Sequence, residues 1–183
     1  MSTDTLEFEK IHETFRSKIH RYLARLVGEQ EAEDLTQEVF VKASRALDTF
    51  RGESQLSTWI YRIATNTAVD RMRKSSFRQG AGQLPFDDTN ETESKDLWTG
   101  EETPSLEQQL LRIERNECFM DFVQNLPANY RTIVVLSELE ELKNSEIADI
   151  LGLSLDVVKI RLHRGRTRLL QELKAHCKAE DWL

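Results

Sequence analysis

Cysteine, proline, glycine and histidine are all scarce in this chain. It has 2 Cys, 3 Pro, 7 Gly and 4 His among 183 residues. Two distant cysteines, Cys118 and Cys177, cannot staple a small fold. With His12, His20, His163 and His176 they do not form the tight four-ligand clusters of a zinc site, so no metal is expected. The shortage of Gly and Pro argues against many strands joined by tight turns and favours helices. Long apolar runs are missing too. The stretch Ile133 to Leu136 is typical, which excludes a bilayer-spanning segment and membrane insertion. The N-terminal "MSTDTLEFEK" has no apolar core, so no secretory signal is read and the protein is expected to be cytoplasmic. No Gly-rich phosphate loop or nucleophile–base set is present, so neither an enzyme nor a cofactor is expected.

Helical periodicity is what the chain does have. Phe8, Ile11, Phe15, Ile19, Tyr22 and Leu26 recur at steps of three and four and stop before Gly28. A second stripe holds Leu35, Val39, Ala43 and Leu47 and ends near "FRGES". A third starts after Ser57 with Trp59, Ile60, Ile63 and Thr67 and runs into "DRMRK". From Ser75 to Thr103 apolar residues thin out. Within 87–102, Asp87, Asp88, Glu91, Glu93, Asp96, Glu101 and Glu102 face the single Lys95. Such a segment buries too little to offset its ordering entropy. The expected architecture is therefore all-α: two small helical domains, 1–76 and 105–183, joined by a flexible acidic linker, 77–104. Periodicity resumes after Pro104, with Ser105 as N-cap and Leu106, Leu110, Ile113 and Met120 as the stripe. It breaks at Pro127 and continues through Ile133 and Leu136. Two further helical segments follow.

Those last segments have the spacing of a helix-turn-helix. Ala148 permits a close crossing. Gly152 supplies the positive φ of the turn. Ile147, Leu151, Leu153, Val158 and Leu162 share a core. Ser154 caps the second helix, and Asp156 sits in its first turn. Although the net charge is −7, the segment "VKIRLHRGRTRLL" carries Lys159, Arg161, Arg164, Arg166 and Arg168 and no acid. On a helix, Val158, Leu162, Gly165 and Leu169 share one face. Ile160, His163, Arg164 and Thr167 share the opposite one. Lys159 with Arg166, and Arg161 with Arg168, form its flanks. Basic flanks suit phosphates, and a central aliphatic residue suits thymine methyls on a major-groove floor. The candidate DNA-reading residues are Ser154, Lys159, Ile160, Arg161, His163, Arg164, Arg166 and Arg168.

In "STWIYRIATNTAVDRMRK", Arg62, Asn66 and Arg73 project within one arc. With Trp59 and Tyr61 nearby they form a candidate surface for single-stranded nucleic acid, where bases stack and the backbone is held electrostatically. The competing assignment puts both aromatics in the core, and Trp59 fits it best.

Four stretches taken in order, "EAEDLTQEVFVKASRALDTFRGES", "STWIYRIATNTAVDRMRK", "LPANYRTIVVLSELEEL" and "SEIADILGLSLDVVKIRLHRGRTRL", resemble the extracytoplasmic-function (ECF) group of bacterial sigma factors. The resemblance implies a sigma region 2 domain, a linker and a region 4 domain. It implies binding to RNA polymerase core enzyme through Asp34, Gln37, Glu38 and Lys42. It implies melting and capture of the promoter −10 element around Arg62, Asn66 and Arg73, and reading of the −35 element by the basic helix. An anti-sigma protein is implied as a further partner, and the extra domains of the housekeeping factor are not expected.

Some positions depart from the group's pattern. Asp156 and Val157 stand where Gly and Thr are common, Ile160 where Ser is frequent, and Leu56 where an aromatic is usual. The acids of 87–102 are expected to mimic phosphates and shield a basic surface in the free protein. The negative net charge disfavours DNA binding without polymerase. The rival assignment is a stand-alone helix-turn-helix regulator, which would bind DNA by itself.

Overall fold

The computed structural model describes residues 3–50, 52, 54–78 and 117–176, and among them there are helices and turns but no strand. Helix α1 spans Thr3–Val27. Ile11, Ile19, Tyr22, Leu23 and Leu26 give it a fully buried stripe. It stops where Gly28 takes φ 91° and returns its N–H to the Ala24 carbonyl at 2.9 Å, a conformation a Cβ would strain. Helix α2, Glu29–Ala46, starts at once with Glu29 and Glu31 in its first turn, where acids complement the dipole. Ala32, Leu35, Val39, Phe40 and Ala43 fill the space against α1. A 3₁₀ turn, Leu47–Thr49, follows.

Helix α3, Leu56–Arg78, completes a three-helix bundle. It runs two residues past the expected domain boundary at 76; the rest of the expected linker, with its acidic stretch, lies outside the described residues, as do Ser105, Leu106, Leu110, Ile113 and Cys177. Ala64 and Ala68 let α3 approach closely. Thr65 and Thr67 are buried and return their hydroxyls to the carbonyls of Tyr61 and Ile63. Tyr22 lies edge-on to Tyr61, ring centres 5.1 Å apart, and its hydroxyl is 2.8 Å from that of Thr65. Thus the polar atoms that enter this core have partners.

The second half holds α4, Glu117–Asn125, and α5, Ala128–Val134, separated at Leu126–Pro127. A π-turn, Val135–Leu139, continues α5. The chain then bends through Glu141 at φ 55°. Helix α6, Asn144–Leu151, begins where the Glu146 carboxylate accepts the Lys143 N–H at 2.9 Å and ends at Gly152, φ 65°. Helix α7, Leu155–His176, buries Val158, Leu162, Leu169 and Leu173 and packs on α5. Gly165 makes the closest approach: a Cβ there would stand 2.8 Å from Val134 Cγ2. The buried residues of both halves form one continuous cluster. No helix among the described residues is long and apolar enough to cross a membrane.

Candidate nucleic-acid interfaces

Helices α6 and α7 form the helix-turn-helix with the expected details. Ile147, Val158 and Leu162 are buried, Gly152 has positive φ, and Ser154 Oγ accepts the Val157 N–H at 3.3 Å. The outward face of α7 carries Lys159, Ile160, His163 and Thr167, with Arg164 half-buried beside them. Ile160 is 48% exposed, far more than core packing would leave an aliphatic side chain.

The basic flanks are narrower than the sequence suggested. Arg161 is 4% exposed, and its Nε is buried without a hydrogen-bond partner. It sits beside Leu162 on the packed side of α7. Arg161 is almost wholly covered as the chain stands. Arg166 donates from Nε and Nη2 to Glu138 Oε1, with the Nε contact at 2.9 Å. Arg168 lies over the Tyr130 ring, 4.9 Å from its centre, while remaining exposed. A cation over a tyrosine face gains by its quadrupole and remains able to meet a phosphate. Ser154, Lys159, Ile160 and His163, with the half-buried Arg164, are the accessible candidates at the start of α7.

On α3, Arg62, Asn66 and Arg73 are all exposed and lie in one row. Tyr61 does not join them. It is buried, and its hydroxyl donates to Glu140 Oε2 at 2.6 Å. Burial and the nearby Glu140 charge push its phenol well above the usual value, so it stays a donor. One residue along a helix turns a side chain by about 100°, which puts Tyr61 against α1 and Arg62 outside. Trp59 is half-buried, tilted against Phe50 with ring centres 5.0 Å apart. It packs against the core, as the core assignment anticipated, while staying partly exposed.

Asp34, Gln37, Glu38 and Lys42 are exposed along the outer face of α2, together with Val41 at 48%. The polar groups of Gln37, Glu38 and Lys42 are tied to one another or to neighbours. Lys42 pairs with Glu38 at 2.8 Å and donates to Thr67 Oγ1 at 3.0 Å. Gln37 donates to Glu33. The Lys42 hydrogen bond holds the Glu38 carboxyl below its ordinary range. Val41 was missed from sequence, although an apolar residue on an otherwise polar helical face is a readable signal. The described residues hold no group of His, Cys, Asp and Glu suited to a metal ion.

The family model described as Sigma-70 region 2 matches residues 11–78, and that described as Sigma-70, region 4 matches residues 116–169. The ECF RNA polymerase sigma factor SigW of Bacillus subtilis is 32% identical over 170 residues, 91% of this chain and 89% of that one. The chain is an ECF sigma factor. The ECF RNA polymerase sigma-E factor of Haemophilus influenzae is 30% identical over 93% of this sigma factor and 89% of its own length. The fold is also that of the sigma factor RpoE of Bartonella quintana, solved in complex with the anti-sigma factor NepR. Its TM-score is 0.65 at 22% identity, covering 94% of this chain and 99% of that one. CnrH, solved with the cytosolic domain of CnrY, gives 0.62 at 22%, covering 92% and 88%.

Proposed function

We infer that this ECF sigma factor binds RNA polymerase core enzyme and directs it to promoters, with separate surfaces for each task. The outer face of α2, through Asp34, Gln37, Glu38 and Lys42 with Val41 among them, is the polymerase contact. Arg62, Asn66 and Arg73 hold the melted −10 strand. The start of α7 reads the −35 duplex through Ser154, Lys159, Ile160, His163 and Arg164. The working domains are 1–76 and 105–183, and 77–104 is the tether that keeps each near its element once the other is bound. The protein acts in the cytoplasm, where the polymerase and the promoter are. An anti-sigma protein is its proposed regulator, because both solved neighbours of this fold were captured with a partner, one of them named as an anti-sigma factor.

One observation carries the reading. The chain has a helix-turn-helix with an exposed outer face, and it also keeps the row Arg62–Asn66–Arg73 exposed on α3. A stand-alone duplex-binding regulator has no use for that second row. Transcription in vitro with core polymerase and a randomised promoter library tests it. Enrichment of one pair of elements at fixed spacing, dependent on the added chain, is the expected outcome. Tight, specific duplex binding without polymerase and no transcription with it would replace this reading with the stand-alone regulator.

A further inference from the structure

One residue on the outward row of α7 has the wrong charge for a phosphate. Asp156 is the only acid between Ser154 and Leu170. It stands in the first turn of α7 and is exposed. Ile160 follows four residues later, about 40° round the helix and about 6 Å along it. His163 and Thr167 continue the same exposed row. The Thr167 hydroxyl turns back to the His163 carbonyl at 3.0 Å. Among the described residues, nothing engages the Asp156 carboxylate by hydrogen bond or ion pair.

A first-turn acid often serves its own helix, by facing the dipole or by capping free N–H groups. Here the cap is already supplied, because Ser154 Oγ accepts the Val157 N–H at 3.3 Å. The carboxylate is left exposed beside Ile160. The first residues of the second helix in a helix-turn-helix are the ones that reach base edges. An acid brought between two phosphate chains is repelled, so it fits there only where the groove floor offers it a donor. The major groove has two such donors, the N4 amine of cytosine and the N6 amine of adenine. A carboxylate only accepts. Adenine sets its N7 acceptor beside N6, and guanine presents only the acceptors N7 and O6. The edge of cytosine itself presents the amine alone. Cytosine is therefore the base that Asp156 favours, and guanine the base that it rejects most.

We propose that Asp156 is a specificity-determining residue of this face. It accepts from the N4 amine of one cytosine in the −35 duplex, close to the pair met by Ile160, and turns the factor away from guanine at that place. The proposal rests on the assignment of α7 to the −35 element. The acid weakens binding to every other sequence and is compensated on one, so it selects by repulsion as much as by attraction.

The test uses the full-length chain with core polymerase, a barcoded promoter library randomised across the −35 element, and the variants Asp156→Asn and Asp156→Gly. Sequencing the barcodes of the transcripts reads the base preference at each position. Wild type should favour cytosine over guanine roughly tenfold at one position, within the range of a single base contact. In Asp156→Asn the preference at that position should move to adenine, whose N6 and N7 an amide matches. Asp156→Gly should flatten the same position and leave the others as they were. A wild-type profile without the cytosine preference, or one that neither variant alters, would overturn the proposal and leave Asp156 to the helix dipole. If circular dichroism shows that Asp156→Gly has lost helix, Asp156→Asn decides alone. Transcription by wild type with an unmoved profile in the variants removes the role of Asp156 only. If wild type starts no transcription with core enzyme, the sigma assignment fails, and selection of duplexes by the chain alone then decides Asp156 by the same shift from cytosine to adenine.

Discussion

Arg166 and Glu138 are locked together, with two guanidinium donors on one carboxylate oxygen that also accepts the Ser137 hydroxyl at 2.9 Å. The Glu138 side chain is 6% exposed, while Arg166 is 39% exposed. The pair ties the middle of α7 to the π-turn, and the arginine is already neutralised within the protein. Arg166→Ala should therefore behave as a structural change. It leaves a buried carboxylate without its cation, at a cost of about 1–2 kcal/mol after allowing for the exposed side of the pair. Urea unfolding measures this. The salt dependence of duplex binding should hardly change. Lys159→Ala, at an exposed position, should leave stability alone and reduce the salt slope by about 0.9. Equal losses of slope in the two variants would return Arg166 to the phosphate contacts.

Ile160 should set sequence preference without supporting the fold. Its side chain is 48% exposed and lies between Lys159 and the Arg161–Leu162 pair that faces inward. Ile160→Ser should keep stability within about 0.5 kcal/mol, as surface substitutions do. It should also lose about 1 kcal/mol of discrimination at one base pair, as expected when a methyl contact is removed. Competition binding with single-base variants of the −35 duplex shows whether one position relaxes.

Much of this was legible in the sequence, for a simple reason. Buried rows on helices recur at fixed steps, so Ile19, Tyr22 and Leu26, or Val158, Leu162 and Leu169, announce their faces. Gly28 and Gly152 announce the helix ends by their missing Cβ. A helical wheel is a poorer guide to how wide each buried sector is. Arg161 is one position from Leu162, and Tyr61 one from Ile60; whether such a flank is covered depends on which helix crosses there and at what angle. Contacts between the halves were invisible for a further reason. Glu140 sits in "ELEEL" among other acids, and nothing in its local pattern distinguishes the glutamate that is buried from those that meet water. The same holds for Glu138.

Gly165 should resist even the smallest enlargement. Replacing a mid-helix glycine with alanine ordinarily gains about 1 kcal/mol. Here the new methyl would lie 2.8 Å from Val134 Cγ2 and 3.4 Å from Tyr130 Cβ. Val134 is fully buried and β-branched, so it has no free rotamer into which to retreat. Overpacking of this kind costs about 1–3 kcal/mol, so Gly165→Ala should be net destabilising by about 1 kcal/mol. Thermal unfolding followed at 222 nm checks the sign. A higher melting temperature would mean that α5 and α7 can separate without loss.

Glu140 also gives the molecule a pH dependence whose sign is fixed by burial. Its carboxyl is raised above its ordinary 4.5, first by desolvation, with the Tyr61 hydrogen bond and Arg25 opposing. Arg21 also lowers it, from a greater distance, and the protonated Tyr22 lies behind Tyr61. Between the ordinary value and the raised one, the folded chain holds a proton that the unfolded chain has released. Stability from this group is therefore full below the ordinary carboxyl value and is lost as pH rises through the raised value. Glu33 and Glu38 are lowered by their hydrogen bonds to Gln37 and Lys42 and act in the opposite sense, so wild type alone would blur the effect. Glu140→Gln isolates it. The amide stands in for the protonated acid: its oxygen can still accept from Arg25, and its N–H can meet a reoriented Tyr61 hydroxyl. The stability of wild type relative to Glu140→Gln should fall as pH climbs from below 4.5 towards neutrality. A rise over the same interval would show that the Arg25 charge outweighs the cost of burying the carboxylate.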